Sequence, residues 1–136
     1  MEELVTARGH EHVTAEHAST WELTSDDWLT PAGDCILGVA ADRMPADFDP
    51  AFTEACRDRE ATITATLHVG NHEATVTGQG HPDLTFADDR SLVVRTSEYV
   101  DDRTVMVAAD AAAGDLDRSL VAALADGADC RLVLRV

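Results

Sequence analysis

Lysine is missing from this 136-residue chain, so all ten of its basic residues are arginine. Long apolar runs are missing too: no stretch approaches the ~20 residues a membrane helix needs. The opening MEELVTARGH has neither the basic nor the apolar region of an export signal. These absences predict a molecule that stays in the cytosol and does not enter a membrane. The three cysteines, Cys35, Cys56 and Cys130, are odd in number and widely spaced, which excludes a CxxC metal pair and a disulfide framework. There is no glycine-rich phosphate loop, no GxSxG elbow and no dinucleotide-binding fingerprint, so no cofactor motif is present. Six aromatics and scattered arginines offer no interleaved basic-aromatic surface, and a nucleic-acid partner is not expected.

What the chain does have is acid. Twenty-six Asp and Glu against ten Arg leave a formal charge of -16, with Asp outnumbering Glu 17 to 9. Such a coat repels itself at ordinary ionic strength, and molar salt, with a Debye length of about 3 Å, screens that repulsion. The composition therefore predicts adaptation to a salt-rich cytosol more directly than a cationic partner. The 45% hydrophobic content excludes disorder and fits one domain over residues 1–136.

Alternating apolar residues predict strands through most of the chain. Residues 61–79 give a hairpin turning at Gly70-Asn71, in a register that pairs Leu67 with Ala74, Ala65 with Val76 and Ile63 with Gly78. Further strands are expected at 3–9, 12–15, 19–24, 35–41, 91–97, 103–109 and 130–136, with a turn at residues 30–33. One short helix is expected from Pro50 to about residue 57, capped by Asp49. A second is expected over residues 111–126, with Ala113, Leu116, Leu120 and Leu124 as its apolar stripe and Gly127 as its stop. No internal repeat, linker or low-complexity stretch is evident. The pattern predicts a mainly β, single-domain antiparallel sandwich of jelly-roll type carrying these two helices.

Ionisable residues gather in three segments. His10, His12, His17, Glu16 and Glu22 fall within residues 9–24, where a strand would set His10 and His12 on one face and Glu22 could complete a metal site. Solvated or hydrogen-bonded histidines fit that pattern better, and no metal is assigned. Asp34 and Cys35 open an apolar strand after a turn, which suits a turn cap and a core thiol. Asp102 and Arg103 stand between two strands, as an anion clamp or a structural ion pair.

The blocks GH-HVTAEH, STWELT, LTPAGDCILGV and RTSEYVDDRTVMVAADAAAGDLDR together resemble an archaeal family, domain of unknown function 371. The resemblance covers nearly the whole chain and implies an archaeal source and a sandwich fold, with no assigned reaction. Its pattern extends to His10, His17, Thr20, Glu22, Gly33, Asp34, Cys35, Gly38, Ser97, Asp102, Arg103, Thr104 and Asp110. His12 stands where relatives tend to have Asn, which weakens a histidine metal site. Arg43 and Ala111 stand where relatives often have Lys, in keeping with salt adaptation.

The leading expectation is a pocket formed by His10, His17, Glu22, Asp34 and Arg103 that takes a small polar or anionic molecule. An enzymatic version would use His17 or Glu22 as general base and Arg103 to hold the ligand's charge. The alternative is a non-catalytic module docking on a protein or ribonucleoprotein assembly through a sheet edge or apolar patch.

Overall fold

The computed structural model describes residues 1–136 as eight strands and two helices. The strands are β1 (Glu2–Arg8), β2 (Thr20–Thr24), β3 (Ile36–Gly38), β4 (Thr62–Val69), β5 (His72–Gln79), β6 (Ser91–Arg95), β7 (Thr104–Met106) and β8 (Asp129–Arg135). Helix α1 spans Pro50–Cys56 and helix α2 spans Arg118–Ala125, each preceded by a 3-10 turn, at Pro45–Asp47 and Ala113–Asp115. Two four-stranded sheets form, in the orders β1-β8-β4-β5 and β3-β2-β6-β7. Along β1 alternate residues are buried, so Val5 and Ala7 point inward while Leu4, Thr6 and Arg8 face out. The same alternation in the other long strands builds one cluster of 33 buried residues between the sheets. The mainly β sandwich with two helices is therefore the observed fold. Its short outer pairs, β2 with β3 and β6 with β7, run parallel, whereas the other pairs are antiparallel.

The hairpin of β4 and β5 has the expected register, including Leu67 opposite Ala74 and Ile63 opposite Gly78, and Gly70 takes φ 56° at the turn. Helix α1 also begins as expected, with Asp49 Oδ1 accepting from the Ala51 N–H at 2.8 Å. The turn at 30–33 closes with Gly33 N–H donating to Thr30 O. Two expectations are corrected. Residues 12–15 form no strand; they lie in an irregular loop in which Ala15 has φ 48°. The helix expected over 111–126 is confined to Arg118–Ala125, because Asp117 caps it by accepting from Ser119 N–H at 2.7 Å. Upstream, Asp115 Oδ2 takes the Ala112 N–H at 2.9 Å and closes a separate 3-10 turn.

The third correction is the largest. The element order strand, strand, strand, 3-10 turn, helix, strand occurs twice, over residues 1–70 and 71–136. Details recur with it. His10 Nδ1 accepts from the N–H of His12 at 3.1 Å, and His81 Nδ1 accepts from that of Asp83 at 3.0 Å. Asp42 holds the Thr6 N–H at 2.8 Å, and Asp110 holds that of Thr77 at 3.0 Å. Ala40 and Ala108 both have positive φ, near 50°.

The two units interlock. Strand β1 pairs along its length with β8, from the other unit, and β8 lies between β1 and β4. Gly9 donates its N–H to Ala128 O, and a Cβ there would lie 1.9 Å from Leu124 O; Gly80 donates to Ala61 O, and a Cβ there would lie 2.1 Å from Cys56 O. Each unit's entry loop thus rests on the other's helix end, where only glycine fits. A pseudo-twofold axis follows from the register. Glu22 pairs with Val93 across β2 and β6, and these residues hold the same place in the two units; so do Thr66 and Val133 across β4 and β8.

Candidate functional site

On β2, Trp21 and Leu23 enter the core, which turns Glu22 outward; on β6, Leu92 and Val94 enter the core, which turns Ser91, Val93 and Arg95 outward. The outer face of this sheet therefore carries Glu22 on the pseudo-twofold axis with arginine chemistry beside it. Arg95 donates from Nε to Thr104 Oγ1 at 2.8 Å and from Nη2 to Asp101 Oδ2 at 2.9 Å. Its guanidinium lies 4.8 Å from the centroid of the Tyr99 ring. Arg103 reaches the same carboxylate oxygen from Nε at 3.1 Å and Nη2 at 2.8 Å. The second oxygen, Asp101 Oδ1, accepts from Arg103 N–H at 3.0 Å and Thr104 Oγ1 at 3.1 Å.

Charge in this cluster is well defined. Burial works against an ionised Asp101, but hydrogen bonds from Arg103 and the charges of Arg95 and Arg103 outweigh it and hold the carboxyl at about 2. Two guanidiniums share the Asp101 carboxylate, and the charges of Glu22 and Asp88 also act on Arg103. Glu22 behaves in the opposite way: burial raises its pKa, against the pull of Arg103, Ser91, Cys35 and Arg95. The Cys35 thiol donates toward Glu22 Oε1 at 3.9 Å, and burial together with the Glu22 charge pushes that thiol up to about 11. Arg95 is nearly enclosed, with 10% of its side chain exposed, whereas Arg103 presents 43% of its side chain to solvent. Arg103 is thus the accessible cation and Arg95 the fixed one.

The second unit supplies most of this cluster. Arg95, Asp101, Arg103 and Thr104 hold the places that Thr24, Gly33, Cys35 and Ile36 hold in the first, while Glu22 stands where the second unit has Val93. Elsewhere the units keep the same residue in the same job, as Asp47 and Asp115 do by accepting backbone N–H groups, and Asp49 and Asp117 by capping their helices. The strands do not need the charged set, because the first unit forms the equivalent strands without it.

Of the five residues expected to share a pocket, Glu22 and Arg103 come together and the rest do other work. His17 Nδ1 accepts from the N–H groups of Ser19 at 3.2 Å and Thr20 at 3.1 Å. Asp88, its equivalent, does the same for Arg90 at 3.0 Å and Ser91 at 2.6 Å. His10 sits in a turn with its ring centroid 5.1 Å from that of His12, and its Nδ1 is occupied by the His12 N–H. In the neutral ring that bond places the proton on Nε2, leaving no free lone pair there for a metal. Asp34 contributes its backbone carbonyl to the N–H groups of Glu16 and His17. No group of three or more His, Cys, Asp or Glu side chains is placed to hold a metal ion. The expected ion pair of Asp102 with Arg103 is replaced by Asp101 with Arg103, while Asp102 Oδ1 accepts from Thr85 Oγ1 at 2.8 Å.

Neither cavity of the molecule lies at the cluster, whose solvent-exposed parts are Arg103 and Tyr99 while Val93, Arg95 and Thr104 are buried. One cavity of about 210 Å³ lies beside Met1, Asp49 and Phe52, and another of about 430 Å³ lies on the opposite sheet between Thr6, His68 and Arg131. Sequence reasoning missed Arg95, Asp101 and Tyr99. Their signal was the stretch RTSEYVDDRT set against TSDDWLTPAGDC of the first unit, which differ in charge where they match in structure.

A family model described as "Domain of unknown function (DUF371)" matches residues 5–136. An uncharacterised protein of Methanocaldococcus jannaschii is 38% identical over 127 residues, covering 93% of each chain.

Proposed function

The chain belongs to the DUF371 family, and within it we propose that the outer face of the β3-β2-β6-β7 sheet binds a small anionic ligand. The observation that carries this reading is the convergence of Arg95 and Arg103 on a single carboxylate oxygen of Asp101, at positions where the two units of the fold diverge. Asp101 and Thr104 fix Arg95 in place, which lowers the ordering cost of binding. Arg103, half in solvent, spends Nε and Nη2 on Asp101 and keeps its Nη1 side for a carboxylate or phosphate. Glu22 lies beside them, where burial raises its pKa against the pull of Arg103.

The working environment we assign is a salt-rich cytosol. An accessible surface of 6264 Å² shared among 16 net negative charges leaves about 390 Å² per charge, a density that concentrated salt screens. Against that background the exposed guanidinium of Arg103 gives an anion a cationic contact on this face.

Calorimetric titration with inorganic phosphate and with malonate, in 0.2 M and 2 M potassium chloride, tests the reading. Arg103→Ala is expected to weaken binding by about tenfold or more, the worth of a charged hydrogen bond. Equal affinity for Arg103→Ala and the unaltered chain would remove the proposal and favour a docking role for the fold.

A further inference from the structure

The chain has six aromatic side chains, and four of them, Trp21, Phe48, Phe52 and Phe86, are buried in the core. The other two, Trp28 and Tyr99, are 59% and 61% exposed. They occupy the same place in the two units, four residues beyond the ends of β2 and β6, in loops held alike: Ala40 N–H donates to Asp26 O and Ala108 N–H to Ser97 O. Both halves therefore present a large aromatic ring to solvent at a position where packing does not require one. At Tyr99 the ring meets the Arg95 guanidinium at 4.8 Å, and Arg95 is tied through Asp101 to Arg103. At Trp28 the place of Arg95 is taken by Thr24 and that of Arg103 by Cys35, so the ring stands without a cation cluster.

We infer that the ligand of the Arg95-Asp101-Arg103 face is a nucleoside phosphate, whose base stacks on Tyr99 while its phosphate meets Arg103. The inference rests on the anion-binding reading above and adds a flat ring to the ligand. Exposed aromatics beside arginine offer that pairing of stacking and charge, since every base has a π-face and the phosphate supplies the anion. An enclosed pocket is not needed for this mode, which suits the exposed Tyr99 and Arg103.

Three probes separate the components: inorganic phosphate, ribose 5-phosphate and adenosine 5′-monophosphate, each titrated into the full chain in 2 M potassium chloride. The nucleotide is expected to bind about tenfold more tightly than ribose 5-phosphate, from stacking. Tyr99→Ala should erase that difference and leave ribose 5-phosphate binding intact, Tyr99→Trp should restore it, and Trp28→Ala should change nothing. A purely structural role for Tyr99, holding Arg95 in place, would instead weaken both sugar phosphates equally and overturn the inference. Equal affinity for the nucleotide and ribose 5-phosphate in the unaltered chain would also overturn it, while leaving anion binding in place. Binding of none of the three probes would overturn both.

Discussion

Replacing Asp101 with Asn tests whether the paired guanidiniums depend on one carboxylate. Asn keeps a similar shape and one acceptor but removes the charge that Arg95 and Arg103 share at 2.9 and 2.8 Å. The folded-state value of about 2, against an ordinary 3.8, amounts to at most roughly 2.5 kcal/mol. With 24% of the Asp101 side chain exposed, screening reduces this to about 1–2 kcal/mol. Arg95, 10% exposed, then keeps a charge without its counterion, which brings the expected loss for Asp101→Asn at pH 7 to about 2 kcal/mol. For a chain of this length that is a fall in Tm of about 8 °C. The pH dependence has a definite sign. A depressed carboxyl stabilises the fold fully above its unfolded value near 3.8 and loses that contribution as pH falls toward 2. Urea unfolding of both chains, followed by circular dichroism from pH 7 to pH 2, should therefore show the gap narrowing below pH 4. A gap under 0.5 kcal/mol at pH 7, or one that stays constant to pH 2, would refute the reasoning.

The internal repeat supplies three further expectations. His17→Asp should fold with a stability within about 0.5 kcal/mol of the original, because Asp88 already does this job in the other unit, whereas His17→Ala should cost about 1 kcal/mol in urea melts; an equally costly Asp would contradict the equivalence. Gly9→Ala should cost about 3 kcal/mol, since its Cβ would meet Leu124 O at 1.9 Å, and a thermal melt unchanged from the original would show that the close approach does not exist. Cutting the chain between Gly70 and Asn71 should give two pieces that fold only together, because β1 finds its partner β8 in the other piece. Size-exclusion chromatography and amide spectra should show a one-to-one complex, and a half that folds as a monomer would contradict the interlocked order.

Local chemistry explains which parts of the fold were legible in the sequence. The hairpin of β4 and β5 was readable because strict alternation and the Gly70-Asn71 turn specify the same register. Helix α1 was readable because Asp49 and Pro50 mark its start. Helix α2 was extended too far because Arg118 stands where α1 has Pro50, and the alanines and Leu116 before it continue a helical spacing. The repeat itself was hidden because identity between the units is confined to short pieces, such as GH, VAAD and a DxD at each helix entry. Their agreement lies in which backbone N–H each side chain accepts, and that is invisible until the loops are placed.

The site was half legible for a related reason. Glu22 and Arg103 stood out as charges inside strand motifs, and they do share a face. His10 and His17 stood out equally, yet the Nδ1 atom of each is committed to backbone N–H groups. Arg95 attracted no attention because it reads as the polar end of an apolar strand, and only its bond to Asp101, six residues on, makes it part of a cluster.

The central claim is that an anion binds at the exposed Arg103, beside the Asp101 that joins it to Arg95, and a crystal structure of the chain grown with adenosine 5′-monophosphate puts it to the test. Phosphate density within hydrogen-bond distance of Arg103 on the outer face of the β3-β2-β6-β7 sheet is the expected result. Density only in the groove between Thr6, His68 and Arg131 on the opposite sheet would contradict it.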